Sequence, residues 1–158
     1  MIAKNGGLVR CANGLSVATH YSYEEMPALD VLIYPGGDGT RPHLVDGEQL
    51  NWVRRQREHV PLLASVCTGA LVLAAAGLLA NRPATTYWTS LEHLGQLDPT
   101  IEVRDDLRYV DDGDVITSAG ISAGIDMALH LVHRLAGIDR VREIRRGIQY
   151  EPDPPIWT

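Results

Sequence analysis

The chain has 158 residues, enough for one domain with a buried core; 45% apolar and 22% charged residues exclude a disordered or fibrous chain. A formal net charge of −6 excludes a general binder of nucleic acid or anionic membranes, since such surfaces need clustered cationic groups. Two cysteines, Cys11 and Cys67, cannot build a disulfide framework, and neither CxxC nor HxxxH spacing is present to hold zinc. The N-terminus lacks the pattern of a secretory signal, so a reduced, cytoplasmic setting is expected.

Leu8–Ala12 and Leu15–Thr19 flank Asn13-Gly14, a strong hairpin signal, and predict two short antiparallel strands. Asp30–Tyr34 is a compact apolar strand that stops at the glycine turn Pro35-Gly36-Gly37. Asp46–His59 is helical in pattern, with Leu50, Trp52 and Val53 as its apolar contacts, and Pro61 ends it. The run Pro61–Ala64 reads as a buried strand and Ala70–Leu79 as a buried helix. Leu62–Ala80 carries no charge and approaches the length of a membrane span, but the polar break Ser65–Gly69 divides it into strand and helix.

Further on, Arg82–Thr86 predicts a short strand and Trp88–Leu94 a helical turn. Ile101–Val103, Leu107–Val110 and Val115–Thr117 predict short strands, with Asp111-Asp112-Gly113-Asp114 as the turn between the last two. A helix is expected from Ser122, as its cap, to Leu135, and another from Asp139 to Arg146. Arg140, Arg142, Arg145 and Arg146 read as the solvated face of that last helix rather than as a DNA reader, and Pro152, Pro154 and Pro155 predict an extended tail. Alternating strands and helices predict an open, mostly parallel α/β sheet with helices on both faces, in one domain over residues 1–158. Ligands of such sheets gather beyond the carboxyl ends of the strands, where both Gly36-Gly37 and Cys67 lie.

Ser65-Val66-Cys67-Thr68-Gly69 carries the chemistry. A cysteine at a sharp strand-to-helix turn is presented by its backbone, and unpaired N–H groups of the helix favour the thiolate; a small residue such as Gly69 is needed beyond it. An inert cysteine filling core space is the competing reading. His130 and His133 share a helix face but have no carboxylate or cysteine partners and read as packing or surface residues, and His20, His43, His59 and His93 lack ligand spacing, so no metal is expected.

Taken together, Tyr34-Pro35-Gly36-Gly37, Ser65–Ala70, Ala76–Leu79, Ala84-Thr85-Thr86-Tyr87-Trp88, Ser118–Asp126 and Gln149–Pro155 resemble the DJ-1/PfpI superfamily, which is related to class I glutamine amidotransferases. The resemblance implies a flavodoxin-like fold, with Cys67 as nucleophile and the backbone N–H groups of Gly37 and Thr68 as an anion-stabilising pocket beside Gly36. Thr68, the Ala-Thr-Thr-X-Trp segment and the Pro-Pro tail are similar to isocyanide hydratases and equally to the sensor domain of AraC-type regulators. It implies a small-molecule substrate or ligand, a homodimer, and no metal or organic cofactor.

The family's fold has a strand, a helix and a strand ahead of the segment resembling Met1–Lys4, so an N-terminally truncated sheet is expected, with neighbouring strands left unpaired. That segment also supplies the family's acidic partner of the cysteine, which no residue here matches. Asp38 is the candidate substitute, against its reading as a solvated loop carboxylate; Tyr87 stands where relatives often have histidine, and Tyr87 and Trp88 line either the pocket or the core. Three functions follow as expectations: an isocyanide hydratase, a non-catalytic metabolite sensor, and an inactive truncated relative.

Overall fold

The computed structural model describes residues 1–11 and 14–151. The centre of the predicted hairpin turn, Asn13, and the proline tail lie outside them. Strands β1 (Leu8–Arg10) and β2 (Ser16–Ala18) pair antiparallel with Val9 opposite Val17. Ile2 forms a parallel bridge to Tyr21 beside this hairpin.

The main sheet has β3 (Val31–Tyr34), β4 (Leu62–Val66), β7 (Tyr109–Asp111) and β8 (Val115–Ser118) in the order β3-β4-β8-β7. β3, β4 and β8 run parallel, with Tyr34 beside Ser65 and Val66 beside Ser118; β7 is antiparallel to β8. The two-residue strands β5 (Pro83–Ala84) and β6 (Glu102–Val103) form a separate parallel pair.

Strand alternation divides the core. Leu32 and Leu63 point to one face, where α2 (Gly47–His59) and α3 (Gly69–Ala75) cover them with Trp52, Val53, Leu71 and Leu73. Leu62, Ala64 and Ile116 point to the other, against Met127 and Leu131 of α5 (Ala123–Ala136). Each fully buried leucine, such as Leu63 or Leu71, contributes about 1.5–3 kcal/mol to this packing. Helices on both faces of a mostly parallel sheet make the flavodoxin-like architecture that the sequence predicts.

β3 is an edge strand of this sheet, and Ile33 on its α5 side is 45% exposed. At the opposite edge, Arg82 holds Asp112 at 2.9 Å and Asp114 at 2.6 Å, and Arg57 also pairs with Asp114, which fixes the β7–β8 turn. No helix among the described residues is long and apolar enough to cross a membrane.

Several local expectations are corrected. The predicted helix from Asp46 starts one residue later because the Asp46 carboxylate is the cap, accepting from Glu48 N at 3.0 Å and Gln49 N at 3.2 Å. Ser122 precedes α5 without capping it by side chain; its hydroxyl accepts from Arg108 instead. α3 stops at Ala75, short of Leu79, because Gly77 turns the chain with φ +76°. Trp88–Ser90 is a 3₁₀ turn and only then does α4 (Leu91–Leu97) begin, whereas α6 (Ile138–Ile148) extends past Arg146. A short helix, α1 (Thr40–His43), was not foreseen. His130 does have a carboxylate partner, Asp111 on β7 at 2.5 Å from Nε2.

Candidate functional site

Cys67 follows the last residue of β4 and precedes α3 by one residue, with φ +55°. A residue with a Cβ in this left-handed region costs about 1–2 kcal/mol, so the conformation persists only because its surroundings hold it. They do so from three directions. Cys67 N donates to Ser118 O at 3.1 Å; Ala70 N donates to Cys67 O at 3.4 Å; and the buried Thr86 hydroxyl donates to the same carbonyl at 2.8 Å. Cys67 is a free cysteine, and the residue is partly buried, neither sealed in the core nor fully exposed.

Gly36 and Gly69 make the turn possible. A Cβ on Gly36 would stand 2.7 Å from Cys67 Cβ and 2.8 Å from Thr68 N, and one on Gly69 would collide with the Tyr34 carbonyl oxygen. The glycine loop after β3 and the start of α3 therefore touch through bare backbone.

Hydroxyls join these segments. Gly37 N donates to Thr68 Oγ1 at 2.9 Å, so that amide is engaged within the protein, while Thr68 N has no hydrogen-bond partner among the described residues. Thr40, 3% exposed, donates from its hydroxyl to Gly37 O at 2.8 Å, and its Oγ1 lies 3.2 Å from Thr68 Oγ1. Behind the loop, Tyr23 donates to Gln49 Oε1 at 2.8 Å, Gln49 Nε2 donates to the Tyr34 hydroxyl at 3.1 Å, and that hydroxyl meets His43 Nδ1 at 2.7 Å. Burial pushes the Tyr34 phenol well above its ordinary value, so it remains a neutral hydroxyl in this chain.

Of the residues singled out from sequence, Cys67, Thr68, Gly36 and Gly37 meet directly. Asp38 is exposed on the same loop, and its carboxylate makes no hydrogen bond among the described residues. The Tyr87 ring lies half-buried against Gly120, at the end of the β8 loop, and meets Trp88 edge-on at 5.9 Å between centroids. Trp88 is 72% exposed and so is not a core residue. Sequence reasoning missed Thr40 and assigned Thr86 no part of its own. The signal for Thr86 is its place in the Ala84–Trp88 motif, whereas Thr40 lies three residues beyond the Tyr34–Gly37 motif and outside it. Among the described residues no group of three or more His, Cys, Asp or Glu could hold a metal ion.

A strained cysteine turn at the carboxyl edge of a parallel sheet, faced by a glycine loop, defines an α/β protein of the cysteine-elbow class. The DJ-1/PfpI family model matches residues 1–134, and the chain belongs to that family. It is 41% identical over 148 residues to isonitrile hydratase of Pseudomonas putida, covering 94% of this chain and 64% of that protein. It is 33% identical over 141 residues to the HTH-type transcriptional regulator CdhR of Pseudomonas aeruginosa, covering 87% of this chain and 40% of the regulator. A crystal structure of a ThiJ/PfpI family protein from Pseudomonas syringae superposes with a TM-score of 0.89 at 32% identity, covering 99% of this chain and 64% of that one. The chain thus spans less than two thirds of these relatives' length.

Proposed function

We propose that the protein is an isonitrile hydratase-like enzyme in which Cys67 is the nucleophile. The observation that carries this reading is the free, partly buried Cys67 on a backbone held at φ +55°, followed directly by Thr68, in a chain 41% identical to isonitrile hydratase. Cys67, as thiolate, forms a bond from sulfur to the terminal carbon of the isonitrile, and a proton is delivered to that carbon. Water adds to the resulting thioimidate. The carbon–sulfur bond then breaks, returning the thiolate and releasing an N-substituted formamide, so that one water is consumed per isonitrile.

Gly36 and Gly37 keep the approach to Cys67 open, the unpartnered Thr68 amide faces developing charge, and Tyr87 and Trp88 contact the substituent of the substrate. Asp38 is the carboxylate nearest in sequence to this loop and a candidate for relaying the proton. This reading takes residues 1–158 as one domain, acting as a cytoplasmic homodimer on a small molecule. It is tested by incubating the protein with phenyl isocyanide and measuring N-phenylformamide. The native chain is expected to produce it and Cys67→Ala to produce none; equal turnover by both overturns the assignment.

The identity with CdhR favours a second reading, a sensor that binds a small metabolite without converting it. Saturable heat on calorimetric titration with amides, together with absence of formamide formation, would select it.

A further inference from the structure

We propose that Thr40 is a positioning residue that frees the Thr68 hydroxyl proton for the molecule reacting at Cys67; this rests on the nucleophile reading above. The argument is a count of lone pairs around one peptide group. The Gly37 carbonyl oxygen has two, and Thr40 claims both, through its amide at 3.1 Å and its hydroxyl at 2.8 Å. The Thr68 hydroxyl lies 3.2 Å from the same oxygen and is the third and most distant donor.

Meanwhile Thr68 Oγ1 accepts from Gly37 N at 2.9 Å, which fixes the oxygen itself. The alternative bond, from Thr40 Oγ1 to Thr68 Oγ1, is longer at 3.2 Å, and it also consumes a Thr68 lone pair rather than its proton. In the shorter arrangement Thr68 is an anchored acceptor whose O–H is left with only a 3.2 Å contact to the already claimed Gly37 oxygen; in the longer one Thr40 releases that oxygen and the Thr68 O–H takes it, so the 2.8 Å bond of Thr40 to Gly37 is what frees the proton. Thr40 and Thr68 are 3% and 7% exposed, so water does not compete strongly for either group. A hydroxyl anchored by its oxygen, with its proton unspent, is a preorganised donor toward charge that develops one residue away.

Removing the Thr40 hydroxyl reverses this. In Thr40→Val the Gly37 oxygen regains a lone pair, the Thr68 O–H turns inward to fill it, and the donor is lost without any change at Cys67. The phenyl isocyanide assay should then show kcat reduced by about 10- to 100-fold with KM within about twofold. Thr40→Ser should recover most of the rate. Thr68→Val should resemble Thr40→Val, and the double variant should be no slower than Thr68→Val alone.

A second measurement is independent of turnover. Phenyl isothiocyanate adds to Cys67 by forming a bond from sulfur to its central carbon as the C=N electron pair moves to nitrogen, which then takes a proton from water; a nearby hydroxyl speeds this. Iodoacetamide alkylates the same sulfur by expelling iodide and needs no proton. Thr40→Val should slow the first reagent about tenfold or more relative to the second. Equal slowing of both reagents, a rate ratio equal to that of the native chain, or multiplicative losses in the double variant would overturn the assignment. Absence of formamide from the native chain would overturn hydration alone, and the ratio of the two reagents would still decide the role of Thr40.

Discussion

The Thr86 hydroxyl donates to the Cys67 carbonyl at 2.8 Å, tying the left-handed residue of the elbow to the loop that follows β5. Thr86 is 1% exposed, so its replacement leaves that carbonyl without its strongest partner. Thr86→Val is expected to lower unfolding free energy by about 1–3 kcal/mol, measured by urea denaturation, while Thr86→Ser keeps most of it.

Because Cys67 holds φ +55°, the two smallest substitutions there should differ in stability as well as chemistry. Cys67→Gly is expected to exceed Cys67→Ala by about 1 kcal/mol, since glycine adopts this conformation without penalty. A melt of both variants checks it; a less stable glycine variant would show that the elbow is not strained.

Gly36→Ala places a methyl group 2.7 Å from Cys67 Cβ and from the Val66 carbonyl oxygen. Neither neighbour is the flexible end of a side chain. The loop must move, at a cost of about 1–3 kcal/mol, and iodoacetamide should alkylate Cys67 at a changed rate.

Asp111 predicts an acid-dependent loss of stability. Burial alone would raise its carboxyl, but the His130 hydrogen bond, the Gly113 amide and the Arg134 guanidinium outweigh that and hold it below the ordinary 3.8. A carboxyl lowered in the folded state stabilises fully above its unfolded value, and the contribution fades as pH falls through the folded one. Asp111→Asn should cost about 1 kcal/mol at pH 6 and flatten the stability profile below about pH 4, read by urea titration across pH 2.5–6.

Much of the framework was legible from local signals. The continuous apolar run Leu62–Ala64 and the stop at Pro61 act within a few residues, and the elbow at Cys67 follows from a strand and a helix meeting without a linker. What stayed hidden depends on contacts between distant segments. Thr40 opens a four-residue helix and Thr86 lies in a loop, neither long enough to show a period, and each matters only for the backbone group it reaches, on Gly37 and Cys67. His130 shows no partner in the sequence because Asp111 reaches it from β7, 19 residues earlier, across the fold. α1 was hidden by Gly36–Gly39, which reads as turn, and by Pro42 within the helix itself.

The edge position of β3 has a consequence for how the molecule breathes. Among the described residues no strand pairs with its outer side, so deuterium should enter Val31–Tyr34 sooner than β4, which is paired on both sides. Since Tyr34 leads directly into the Gly36-Gly37 loop, loosening there would reach the nucleophile's entrance before it reached the hydrocarbon interior.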